Sequence, residues 1–200
     1  MSRLRIVGGM RVTFPRLPDL EHAWALVERD DGAVYRLYDG LAGRPLPHDI
    51  RHLVVERELH IRDGIWGGIA AGLVFASMQH VSGRQPPHAQ ERSAELLAGF
   101  GERGLRAEAL ASVVEWVAGL DHPSAGQIQA LAAARLPDPA VDPVAIAAAA
   151  QALQVEAARW ARLRVGQELS YDWPRTPLAA LRRDRLRKPR LVRRHRNPRG

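Results

Sequence analysis

Alternation of apolar and polar residues with period two marks both ends of this 200-residue chain, and helical periodicity fills the stretch between them. Residues 10–14 (MRVTF) alternate, and residues 23–28 (AWALVE) and 33–38 (AVYRLY) are rich in β-formers. The last two runs are separated by Asp30, Asp31 and Gly32, residue types that tolerate the positive φ of a tight hairpin turn. Residues 163–173 alternate again around Gly166 and stop at Pro174. The C-terminal run is expected to return to the N-terminal sheet as an extra strand. The pattern therefore predicts an α+β fold, a small antiparallel sheet of the N-terminal meander plus a C-terminal strand, packed on a mostly helical block.

Within the block a helix is expected over 47–60, with Pro47 at its first position and Asp49 favouring its positive end. Residues 65–78 are apolar apart from small residues, but a membrane span needs about 20 residues, so they predict a buried core helix and no membrane partner. Gly68 and Gly72, with Gly67 and Ala71, would let another helix approach it closely. Further helices are expected at 88–100, 105–119, 125–136 and 143–162. Leu110, Val113, Val114, Trp116, Val117 and Leu120 form a core stripe, and Asp142 with Pro143 marks a capped start. Residues 82–87 read as a surface loop.

Composition narrows the function. Without cysteine the chain can form no disulfide, thiolate metal site or cysteine nucleophile, so any metal is held by His, Asp or Glu. A hydrophobic content of 46% supports a single globular domain, expected over 10–175, preceded by an N-terminal extension at 1–9. Residues 1–10 contain no apolar run of secretory length, so a cytoplasmic protein is expected. The formal charge of +7 is uneven. Arg182, Arg183, Arg185, Arg187, Lys188, Arg190, Arg193, Arg194, Arg196 and Arg199 face Asp184 alone, which gives residues 181–200 a net +9 and leaves −2 for the rest. Residues 176–200 are accordingly expected to be a disordered, arginine-rich tail whose cations could contact nucleic acid non-specifically through phosphates.

Chemistry points to one segment. His48, His52, Glu56 and His60 recur every four residues, which on one helix places them on a shared face, about 6 Å apart along the axis. Histidines at i, i+4 can chelate one ion, and the dipole at a helix start favours the neutral imidazole that coordination requires. His48 and Glu56 are about 12 Å apart along the axis, so one ion takes His48 with His52, or His52 with Glu56, and needs ligands from elsewhere. The candidate metal residues are His48, His52, Glu56 and Asp49, the candidate cofactor a divalent zinc, iron or manganese ion. The structural alternative has His52 and Glu56 bonded to each other or to the sheet.

The Leu-Pro-His-Asp-x-x-His-x-Val-Val-Glu stretch from Leu46 to Glu56, the Arg-Asp-Gly-Ile-Trp-Gly run after it and the preceding hairpin resemble a family of small bacterial proteins of uncharacterised function. The resemblance implies a shared architecture. His48-Asp49-x-x-His52 is also similar to the His-Asp-x-x-His motif of the zinc-bearing accessory protein of ubiquinone biosynthesis. Where that motif is followed by a ligand glutamate, this chain has Gly64, with Asp63 one place earlier.

Ser77, Ser82 and Ser93 lack a nucleophile-elbow context, and the glycines of 64–72 are followed by no basic residue in phosphate-loop position. His80, His88 and His122 fall at element boundaries, from which each could complete a metal site. Three functions remain open on the sequence: a metal-binding protein or metal-dependent enzyme of unknown substrate, a non-enzymatic interaction module, and a nucleic-acid-associated protein acting through the tail.

Overall fold

The computed structural model describes residues 9–18, 23–39, 46–136, 138 and 140–176. Strands β1 (Gly9–Pro15), β2 (Ala23–Glu28) and β3 (Val34–Asp39) form the expected meander. Its hairpin turns at Gly32, with φ +86°, while the Asp31 carboxylate accepts the Ala33 amide at 3.0 Å. The C-terminal alternation becomes β5 (Glu168–Pro174), antiparallel to β1 from Gly9 opposite Pro174 to Pro15 opposite Glu168. Leu169, Tyr171 and Trp173 point inward and Glu168, Ser170 and Asp172 outward, as the period of two requires.

Two helices follow the meander. They are α1 (His48–Glu58) and α2 (Ile65–Ala71). The single helix expected over 65–78 is not formed. α2 stops at Gly72, whose φ of +117° closes a left-handed cap that a residue with Cβ resists, and β4 (Met78–Ser82) then pairs with β3. The sheet therefore has five strands, ordered β4-β3-β2-β1-β5. β4 is an edge strand in which only Met78 is buried, so its apolar alternation is weak. Gly67 serves a close approach within the chain, since a Cβ there would lie 1.9 Å from the Arg62 carbonyl oxygen.

The remaining helices are α3 (Ala89–Ala98), α4 (Gly101–Ala118), α5 (Ala125–Arg135) and α6 (Pro143–Arg162). α5 opens with a Ser124–Gln127 capping box, and Asp142 caps α6 through the Val144 amide at 2.9 Å. α4 begins earlier than its apolar stripe indicates, and two members of the expected stripe lie outside the core: Trp116 is exposed, with the Arg135 guanidinium over its ring, and Leu120 is exposed beyond the end of the helix.

α1 packs against α4 and α6, and Ile50, Leu53 and Val54 join the core that the inner sheet face closes. A helix enclosed on several sides buries its polar residues as well, and His52 and Glu56 are 0% and 1% exposed. Phe14 holds the sheet side with edge-on contacts at 6.0 Å to both Trp66 of α2 and Tyr171 of β5. Burying an aromatic side chain stabilises the fold by about 1.5–3 kcal/mol. The indole of Trp66 also donates to the Asp49 carbonyl at 3.2 Å, which ties α2 to the first turn of α1.

Candidate metal centre

Pro47 precedes α1 with φ −53° and ψ 141°, so His48 is the first helical residue and His52 stands one turn further along. Their Nε2 atoms are 3.2 Å apart and their ring centroids 4.5 Å. Glu108, from the middle of α4, brings its Oε2 to 3.2 Å from His52 Nε2 and 3.7 Å from His48 Nε2. Among the described residues this is the one group of three or more ligating side chains close enough to share an ion.

The size of the triangle can be set against coordination geometry. Bonds of about 2.0–2.1 Å to a tetrahedral ion require donors about 3.3–3.4 Å apart, whereas octahedral bonds of that length require about 2.9–3.0 Å. Sides of 3.2, 3.2 and 3.7 Å average close to the tetrahedral edge. A tetrahedral ion held by these three donors would keep its fourth vertex for a ligand from outside the cluster. The direction of that vertex follows from burial: the His52 side chain is 1% exposed, whereas His48 is 36% and Glu108 50%. The core lies behind the His52 corner, and the open side faces solvent.

Electrostatics fit the arrangement. Glu108 is held below the usual carboxylate range, chiefly by its hydrogen bond to His52, with burial opposing and the charges of His52, His48 and Arg51 helping. Asp49 Oδ1 lies 3.7 Å from His48 Nδ1, on the far side of the ring from the cluster. The Nε2 atom of His52 faces two acceptor-capable atoms at once, while its buried Nδ1 has no hydrogen-bond partner among the described residues. One imidazole proton cannot serve both contacts well, whereas a cation at the centre draws lone pairs from all three side chains.

Glu56, a predicted ligand, is placed elsewhere. Its Oε1 accepts the Ile65 amide at 2.8 Å and its Oε2 the Trp66 amide at 3.0 Å, so the carboxylate sits on the first turn of α2. Burial pushes its carboxyl up to about 8, against the Ile65, Trp66 and Gly67 amides that favour the ionised form, and the Asp63 charge raises it further. Neither partner offered by the structural alternative applies: Glu56 binds α2, and His52 binds His48 and Glu108. Gly64 belongs to the same arrangement, because a Cβ there would lie 2.5 Å from Glu56 Cδ.

Among the described residues the other histidines do not join the cluster. His80 Nε2 lies 3.1 Å from the Gly83 carbonyl and its ring meets Tyr35 edge-on, His88 is the N-cap of α3, and His122 pairs with Asp121. Ser93 is structural, its hydroxyl accepting the Val74 amide at 2.9 Å. Glu108 escaped sequence reasoning because a glutamate on the outer face of an amphipathic helix carries no local signal. What the sequence does carry is the need for a ligand beyond the two histidines.

The ten basic positions from Arg182 to Arg199 lie outside the described residues. The fold is described as far as Arg175, which pairs with Asp30 at 3.1 Å, and the buried Thr176. Among the described residues no helix is long and apolar enough to cross a membrane. Comparison with protein-family models, with curated proteins and with solved structures finds no match.

Proposed function

We propose that this protein is a metalloprotein that binds one divalent transition-metal ion through His48, His52 and Glu108, zinc being the ion of best fit, and that it is a metal-dependent enzyme. The observation that carries this reading is the donor triangle of 3.2, 3.2 and 3.7 Å, assembled from two helices far apart in sequence. Two imidazoles and one carboxylate with an open position are also the donor set of hydrolytic zinc sites. An ion there acts as a Lewis acid and lowers the pKa of a bound water towards neutrality.

The test is calorimetric titration of the metal-free, full-length protein with zinc at neutral pH, followed by the same titration of His52→Ala and Glu108→Gln. One equivalent is expected for the wild type, none for His52→Ala and binding at least tenfold weaker for Glu108→Gln. Uptake that is absent in the wild type, or unchanged in both variants, overturns the assignment and leaves an interaction module as the better account.

A further inference from the structure

We propose that the fourth position of this ion takes an oxyanion, whose second anchor is the guanidinium of Arg51. The proposal rests on the metal reading above and adds the chemical class of the ligand.

Charge and placement carry it. A divalent ion with Glu108 and two neutral imidazoles leaves the centre at a net positive charge of one. Arg51 follows His48 by three residues and adjoins His52, so it rises from the turn of α1 that carries the ligands. Its Nη1 bonds Glu115 of α4, while its Nε, buried, has no hydrogen-bond partner among the described residues. Glu115 is two turns beyond Glu108 on the same helical face, and the residue between them on that face is Ser112, small, half-buried and hydroxyl-bearing. At this seam of α1 and α4 the Arg51 charge lies close enough to Glu108 to help hold that carboxylate low. In the proposed complex one oxygen lies on the metal and another on the guanidinium, a planar donor fork suited to carboxylate or phosphate oxygens. On binding, the metal-bound water leaves and no covalent bond changes.

Glu115 acts in the empty state as the internal counter-ion of Arg51. It holds the guanidinium at the seam, and an incoming oxyanion must compete with it. Removing that carboxylate frees the anchor, and removing the guanidinium destroys it. The two changes break the same ion pair with opposite consequences for the ligand, which separates an anchoring role from a merely structural tie between α1 and α4.

The experiment uses the full chain loaded with cobalt(II), whose visible absorption responds to the fourth ligand, titrated separately with phosphate, acetate and imidazole. Cobalt uptake tests the metal reading by itself, and imidazole reports on the open position without calling on Arg51. In the wild type all three probes are expected to shift the spectrum. In Arg51→Gln phosphate and acetate should bind about tenfold more weakly while cobalt uptake and imidazole binding are retained, and in Glu115→Gln both anions should bind as tightly as in the wild type or more so. The stronger of the two anions identifies the source of the oxyanion as a phosphoryl or a carboxylate group. Cobalt-loaded protein that takes up imidazole but neither anion overturns the proposal, as do anion affinities unmoved by Arg51→Gln or equally weakened by both substitutions.

Discussion

Glu108 places its Oε2 3.2 Å from Nε2 of His52, a residue 56 positions earlier on a different helix. The contact joins the outer face of α4 to a helix packed between α4 and α6, and it turns an i, i+4 histidine pair into a three-donor site. Because ligands must be neutral or anionic and converge only when α1 and α4 are docked, binding a metal and folding are linked. Zinc should therefore raise the thermal midpoint. At a free concentration 100 times the dissociation constant the expected gain is about 2.7 kcal/mol. The gain should vanish in His52→Ala and decline as pH falls through the imidazole range. Calorimetric scans with and without zinc check both, and an unshifted midpoint in the wild type contradicts the linkage.

Glu56 predicts a separate pH dependence, independent of metal. Its carboxyl, pushed up to about 8 by burial, holds a proton more tightly in the folded chain than the 4.5 of the ordinary group. Between those two values the native state carries more protons than the unfolded state, so this residue makes stability fall as pH rises. The loss is on the order of 3 kcal/mol from pH 5 to pH 8, complete once the folded value is passed. Urea midpoints of the metal-free protein should drop across that interval. In Glu56→Gln the slope should flatten, at lower stability in acid, and a slope as steep as in the wild type would refute the assignment.

Gly64 tests the same junction sterically. The Cβ of Gly64→Ala would sit 2.5 Å from Glu56 Cδ and 2.6 Å from Glu56 Oε2, and the carboxylate cannot retreat without releasing the first amides of α2. A cost of about 2–3 kcal/mol is expected, since orphaned buried amides are penalised as well as the overlap. At Gly126 nothing lies within 4 Å of the added methyl, and Gly126→Ala in α5 should instead stabilise by roughly 0.5–1 kcal/mol. Denaturation curves of the two variants should move in opposite directions.

The sequence disclosed the parts of the fold that depend on periodicity. β1, β2, β3 and β5 alternate because one face of each is buried, and α6 spans the expected residues between a capping aspartate and the last turn of its stripe. β4 stayed hidden because an edge strand with only Met78 buried has little apolar alternation to show, and an apolar stretch in front of it read as continuous helix. The division of that stretch depends on the left-handed conformation of Gly72, and glycine is permitted that conformation without being required to adopt it. At the site, spacing along one helix was legible in His48 and His52. Glu56 shares their spacing, but the placement of α2 decides where its carboxylate points. Glu108 depends on how two helices cross, which no local pattern encodes.

Tyr171 and Glu156 form another buried polar junction, where β5 meets α6. The phenol donates to Glu156 Oε2 at 2.7 Å, and Arg159 Nη1 bonds both carboxylate oxygens at 2.8 and 2.9 Å. Tyr171→Phe removes one donor but leaves the carboxylate paired with Arg159, so it should cost about 1–2 kcal/mol. Glu156→Gln leaves the phenol an amide oxygen to bond and Arg159 half in water, so its cost should be of similar size. The pair in a double-mutant cycle should show coupling of about 1 kcal/mol or more, because the two side chains share one bond. Burial first, and then the bond and charge of Glu156, raise the Tyr171 hydroxyl above its ordinary value near 10. The folded chain therefore resists deprotonation that the unfolded chain accepts, and the stabilising contribution, fully present below pH 10, is lost as pH climbs beyond it. Urea midpoints measured from pH 9 to pH 11.5 should fall in the wild type and fall less in Tyr171→Phe. Equal declines in the two proteins would assign the alkaline loss to other groups.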